Sequence, residues 1–118
     1  MSISNVSASV AVRDLDTSVS WYTTLFGEPV AAPMSGVAEW SFPGGGSLQV
    51  YALPERAGRG SFTVSVTSID EQGDALRALD IDRPLRQAND QVRTLMITDP
   101  DGNSIAFAER LDDRSTVE

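Results

Sequence analysis

The chain is built on an internal duplication. Laid over itself at an offset of 54 residues, Ser7 meets Ser61, Val10 meets Val64, Val12 meets Val66 and Leu25 meets Leu79. Leu15-Asp16 likewise meets Ile69-Asp70. A repeat at fixed spacing is one supersecondary unit used twice, so whatever the first copy folds into constrains the second. Each copy opens on strict alternation. Val6, Ala8, Val10 and Val12 interleave with Ser7, Ser9, Ala11 and Arg13, and Phe62, Val64 and Val66 interleave with Ser61, Thr63, Ser65 and Thr67. A period of two is a strand with one buried face.

A helix is expected after each strand. In the first copy Asp14 or Asp16 can cap, Val19, Tyr22, Leu25 and Phe26 recur at helical spacing, and Gly27 ends the run. In the second, Ser68 can cap with Glu71 three residues on, and Ile69, Leu76 and Leu79 supply the apolar stripe. Short strands follow: Pro29–Ala31, Val37–Phe42 and Ser47–Leu53, then Leu85–Gln87, Val92–Thr98 and Ser104–Glu109. Gly44-Gly45-Gly46 reads as a hairpin loop and Asp99-Pro100-Asp101-Gly102-Asn103 as a turn. The turn shares oxygen-rich spacing with a calcium loop but lacks the further acidic positions and the distal Glu. The expected fold is α+β: two tandem βαβββ units, residues 3–53 and 61–110, joined by 54–60, forming a curved mixed sheet with helices on its outer face. Residues 111–118 read as a flexible acidic tail. Two such units can curl their bare sheet faces into one trough.

Composition narrows the chemistry. The chain of 118 residues has no Cys, no His and no Lys. Thiolate and Schiff-base chemistry are excluded, and so is a histidine base or ligand. Nine basic residues, all Arg, stand against 17 acidic ones, a net charge of −8. That balance argues against a nucleic-acid partner and would steer a cationic ligand inward, although a solvated acidic surface of bacterial type needs no partner at all. No run approaches the ~20 apolar residues of a membrane span, and Met1–Val6 lacks the pattern of a signal peptide, so a cytoplasmic protein is expected.

Strand parity identifies the bare face. With the apolar residues turned to the helices, Ser7, Ser9 and Ala11 face the trough, as do Ser61, Thr63 and Ser65. Ser47, Gln49 and Tyr51 join them from one later strand, Ser104, Ala106 and Ala108 from another, and Thr94, Met96 and Thr98 from a third. Trp40 depends on the hairpin. A three-residue loop over Gly44–Gly46 pairs Trp40 with Val50, toward the helices, and leaves Glu39 on the trough side. A four-residue loop from Pro43 puts Trp40 opposite Gln49, as a stacking platform in the trough. Trp21 is either core or a surface anchor for a second copy.

Two motifs carry a family resemblance. Val12-Arg13-Asp14-Leu15-Asp16-Thr17-Ser18-Val19-Ser20-Trp21-Tyr22, continuing to Leu25-Phe26-Gly27, and Asp99-Pro100-Asp101-Gly102-Asn103-Ser104-Ile105 resemble signatures of the vicinal oxygen chelate superfamily. These are the glyoxalase, bleomycin-resistance and extradiol dioxygenase relatives, and the likeness spans Val6 to Glu109. The resemblance implies four inward metal-ligand positions, which fall here on Ser7, Gln49, Ser61 and Ala106. None of these supplies a charged ligand, and neutral oxygens alone hold a divalent ion weakly.

The expected function is therefore that of a non-catalytic, metal-free binder of a small organic ligand, akin to the antibiotic-sequestering branch, needing no cofactor and acting as a homodimer. The expected ligand contacts are Ser7, Ser9, Glu39, Trp40, Gln49, Tyr51, Ser61, Thr63 and Met96. Two alternatives stay open: an enzyme with displaced metal ligands or a Glu39-based proton-transfer site, and a structural or regulatory module with a vestigial cavity.

Overall fold

The alternating segments pair as their parity demands. The computed structural model describes residues 2–32, 35–81 and 85–111. The order is β1 (Ser7–Val12), α1 (Leu15–Phe26), β2 (Val37–Ser41), β3 (Ser47–Ala52), β4 (Ser61–Ser65), α2 (Ile69–Ala78), β5 (Leu85–Ala88), β6 (Val92–Thr98) and β7 (Ser104–Arg110). A single 3₁₀ turn over Pro54–Arg56 joins the halves. Two mixed sheets result, ordered β1-β3-β2 and β4-β7-β6-β5. In each, the first strand lies parallel to the last, and the remaining neighbours are antiparallel. The expected strand at Pro29–Ala31 is reduced to a single bridge between Ala31 and Glu39, since Pro29 has no N–H to give a ladder. The expected tail lies outside the described residues from 112 onward.

Both helices start where short polar side chains accept backbone N–H groups. Asp14 caps α1 through the Thr17 N–H, and Ser68 caps α2 through the Glu71 N–H at 3.1 Å. The Ile69 N–H of α2 is satisfied from across the sheet, by Glu109 at 2.9 Å. Helix α1 packs on β2 and β3, and α2 on β6 and β7. The two helix-side cores merge: Val10, Trp40 and Leu48 belong to the same buried cluster as Leu76, Leu95 and Phe107. Tyr22 sits at the junction, its ring 5.9 Å from Trp40 and 6.4 Å from Phe62 of β4.

The β2–β3 hairpin settles the position of Trp40. The pairing is Trp40 with Leu48 and Glu39 with Gln49, so the connection Phe42–Gly46 spans five residues. Phe42 N–H bonds Gly46 C=O and Gly45 N–H bonds Phe42 C=O, with Gly45 at φ 102°. Pro43 cannot extend the ladder, which lengthens the loop by two residues over the three-residue alternative and preserves its parity. Trp40 is 1% exposed and its indole N–H donates to Gly27 C=O at 2.8 Å. Its expected place among the ligand contacts is corrected accordingly: it is a core residue.

The Asp99–Asn103 turn reaches beyond its own hairpin. Asp99 is 4% exposed and Asn103 is fully buried. The Asp99 carboxylate accepts from the Asp101 and Asn103 N–H groups at 2.9 Å, from the Asn103 amide at 2.8 Å and from the Tyr22 hydroxyl at 2.8 Å. Asn103 then bridges the two halves, donating to Ala11 C=O at 2.9 Å and accepting from Gly60 N–H at 2.8 Å. Arg13 pairs with Asp101 at 2.9 Å on the rim. Gly58, at φ 84°, lies so close that an added Cβ would meet Asp101 C=O at 2.2 Å. The linker therefore rests on the turn and requires glycine there.

Asn103→Ala would leave Ala11 C=O, Gly60 N–H and one carboxylate lone pair unpartnered in the interior, at about 1–3 kcal/mol each before relaxation. A fall in Tm of about 10 °C or more is expected by calorimetry. Burial, reinforced by the Asp99 carboxylate, holds the Tyr22 hydroxyl far above its ordinary titration range. A raised folded pKa means this stability is complete below about pH 10 and is lost as pH rises further, at up to about 1.4 kcal/mol per unit. Denaturant titrations between pH 9 and 11.5 should show that slope in the native chain and a shallower one in Tyr22→Phe.

Candidate functional site

Each sheet turns one face away from the helices. On the first sheet the register aligns Ser9, Gln49 and Glu39 in one row, Ser7, Ser47 and Ser41 in the next, and Ala11, Tyr51 and Val37 on the other side. Adjacent strands lie ~4.8 Å apart, so a hydroxyl, a carboxamide and a carboxylate stand side by side in the central row. Among these nine strand residues Glu39 alone is charged. Tyr51 is a diagonal neighbour of Glu39, within reach of an aromatic side chain, while Gln49 is directly opposite it. Glu39, Gln49 and Tyr51 are half-buried; Ser7 and Ser9 are exposed, and their row edge is tied by the Ser7–Ser47 hydroxyl pair at 2.5 Å.

The second sheet repeats this with smaller groups. Thr63, Ala106 and Met96 form its central row, flanked by Ser61, Ser104 and Thr98 and by Ser65, Ala108 and Thr94. Ser61 and Thr63 are exposed and Met96 is half-buried. A cavity of 420 Å³ lies at the end of this face, lined by Gln87, Ala88, Asn89, Val92 and Thr94.

A larger cavity, 580 Å³, lies at the seam where β1 and β4 face each other. Val6, Ser7 and Ala8 form one wall, and Phe62 to Ser65 with Thr67 form the other. The hairpin from Phe42 to Leu48 closes the end, Gly45 excepted. Of the expected contacts, Ser7 and Thr63 meet here. Ser9, Glu39, Gln49 and Tyr51 group on the first open face, and Ser61 and Met96 on the second. Of the four carried-over metal positions, Ser7 lines the seam cavity and is also a diagonal neighbour of Gln49 on the first open face, while Ser61 and Ala106 lie on the second. The hairpin lip and the apolar side chains Phe62 and Val64 were missed by the sequence reading. Alternation assigns residues to faces and carries no signal for a cleft between two strand edges.

These donors do not suit the metal that the motifs imply. Ser7, Gln49, Ser61 and Ala106 offer two hydroxyls, an amide and a methyl, and among the described residues no three His, Cys, Asp or Glu side chains cluster closely enough to hold an ion. No helix among the described residues is long and apolar enough to cross a membrane.

A family model described as the Glyoxalase/Bleomycin resistance protein/Dioxygenase superfamily matches residues 4–107. The chain belongs to that superfamily. A glyoxalase/bleomycin resistance protein from Catenulispora acidiphila is 33% identical, with a TM-score of 0.77 over 89% of this chain and 96% of that one. TnmS3, an antibiotic binding protein from Streptomyces sp. CB03234, superposes with a TM-score of 0.80 at 23% identity, over 93% of this chain and 98% of that one. A bleomycin resistance determinant encoded on the transposon Tn5 gives 0.75 at 17% identity, covering 93% and 100%. No curated protein matches the chain. The two lower-identity likenesses bear on the fold alone.

Because the exposed Ser7 hydroxyl bonds that of Ser47 alone among the described residues, Ser7→Ala should shift Tm by less than about 2 °C in a melting experiment.

Proposed function

We propose that this superfamily member binds a small organic molecule on its open sheet faces without metal and without catalysis, sequestering an antibiotic or metabolite as a cytoplasmic homodimer. The observation that carries the reading is the donor set: hydroxyl, amide and methyl groups occupy Ser7, Gln49, Ser61 and Ala106, where the family resemblance places chelating side chains. Hydrogen bonds and shape remain available to such a face, and Lewis-acid chemistry is poorly served by it. The superfamily description, which includes bleomycin resistance proteins, and the 33% identical relative that shares it support the same reading. Ile3 and Val30, exposed at 77% and 64%, supply apolar surface that a second copy could cover. Glu39, beside Gln49, supplies a counter-charge for a cationic group on the ligand.

The buried position of Trp40 makes tryptophan quenching a poor reporter, so heat stabilisation and titration calorimetry are the suitable readouts. A panel of cationic glycopeptide and neutral polyaromatic antibiotics should include a compound that raises Tm by several degrees at 100 times its Kd, equivalent to about 2.7 kcal/mol. EDTA should leave that affinity unchanged, and Gln49→Leu should weaken it tenfold or more with Tm held within about 2 °C. A stoichiometric divalent ion required for binding would refute the proposal.

A further inference from the structure

The seam between the halves is asymmetric, and the asymmetry has a chemical meaning. Leu53 N–H bonds Val12 C=O and Ser104 N–H bonds Gly60 C=O, each at 2.9 Å. Val12 and Gly60 therefore turn their peptide groups inward, to β3 and β7. Alternation then turns those of Ser7, Ser9 and Ala11, and of Ser61, Thr63 and Ser65, toward the seam. The two edges run in opposite senses. Gly60 approaches Val10, an added Cβ meeting it at 3.2 Å, while Ser7 and Ala8 share a cavity with Phe62 to Ser65.

At the Gly60 end a side-chain amide fills the gap: Asn103, the residue before β7, donates to Ala11 C=O and accepts from Gly60 N–H. The 54-residue repeat equates Ala11 with Ser65 and Gly60 with Val6. The residue before β3, the counterpart of Asn103, is Gly46. Val6, Ser65 and Gly46 all line the 580 Å³ cavity. One end of the seam thus carries a buried amide that joins both strands, while the other, built from matching parts, opens into a ligand-sized space of the usual 300–1,000 Å³ range. Its walls, Ala8, Phe42, Leu48, Phe62 and Val64, are apolar. At its outer lip Asn5 bonds Gly45 C=O and takes the Val6 N–H at 2.8 Å, an exposed local contact that a ligand can displace.

We propose that the seam cavity binds an amide-bearing, peptide-like ligand, one amide of which bridges β1 and β4 near Val6 and Ser65 as Asn103 bridges them at Gly60 and Ala11. This rests on the small-molecule reading above and adds a second site to it, at a place that Gln49 does not line.

The probe is the capped tripeptide acetyl-Val-Asn-Val-amide, added at millimolar concentration to the full isotope-labelled chain and followed by backbone amide spectra. Saturable shifts at Ser7 and Ser65, with their amide exchange slowed tenfold or more, are expected. The same peptide N-methylated at every backbone amide, its Asn side chain replaced by Leu, should bind at least tenfold more weakly. Gly46→Asn places a side-chain amide in the cavity, where an added Cβ meets nothing within 4 Å. It should raise Tm and weaken the tripeptide tenfold or more. Absence of binding to the native chain, equal binding of the methylated peptide, or undiminished binding to folded Gly46→Asn would each overturn the proposal. Protection of Ser7 and Ser65 that grows with protein concentration in the absence of peptide would assign the seam to a second copy and overturn it too. Failure at the seam, with antibiotic binding still sensitive to Gln49, would leave the open-face reading intact.

Discussion

The two halves of this protein share an apolar core, and one buried set of hydrogen bonds fixes their sheet edges against each other. Neither sheet continues into the other: β1 and β4 end their sheets, and no ladder joins them. What spans the gap is the Asp99–Asn103 turn. Asp99 gathers four donors, one of them the Tyr22 hydroxyl 77 residues away, and this fixes the turn against α1. Asn103 is thereby aimed into the seam, where its amide replaces the peptide group that a continuous sheet would have supplied. A network in this position must be complete, because each unmet group would keep its full desolvation cost. Among the described residues no buried side-chain polar atom lacks a partner.

Much of this architecture is written in the sequence because alternation and capping are local. The offset repeat, both helices and the inward and outward faces of β1, β3, β4, β6 and β7 follow from periods of 2 and 3.6 alone. The hairpin shows the limit of that reasoning. Parity put Glu39 and Trp40 on opposite faces, but it could not decide between loop lengths, and the five-residue connection combines the face of one alternative with a pairing of neither. Trp40 went to the core because its indole N–H finds Gly27 C=O at the end of α1, a partner that only the packing of helix on sheet reveals.

The turn and the seam were illegible for a related reason. Asp-Pro-Asp-Gly-Asn announces a turn through the side chains of its own residues, and that reading is correct. Its longer-range task depends on which strand edge happens to pass beside Asn103. Edges carry no side-chain pattern, since the backbone groups that alternate residues present there are the same whatever the side chain. The cavity between β1 and β4 was hidden in the same way, although Ser7 and Thr63, chosen for their face, also line it.

Duplication accounts for the contrast between the two ends of the seam. Two copies of one unit, meeting edge to edge in opposite senses, present the same gap twice. An amide at one gap suffices to fix the angle between the halves, so the second gap is released from that structural duty. At the first gap the sequence spends an Asp, a Pro and an Asn; at the second it offers Pro43-Gly44-Gly45-Gly46, three of whose members have no side chain with which to bridge anything. A chain that had only to stay folded would gain from closing both gaps, because an edge left open costs solvation and invites misassociation. The open gap, walled by Phe42, Phe62 and Val64 and rimmed by glycine, is thus the part of the fold that stability alone does not explain. A ligand seated there, as proposed, would use the divergence between the copies, whereas one on the open faces would use what they share.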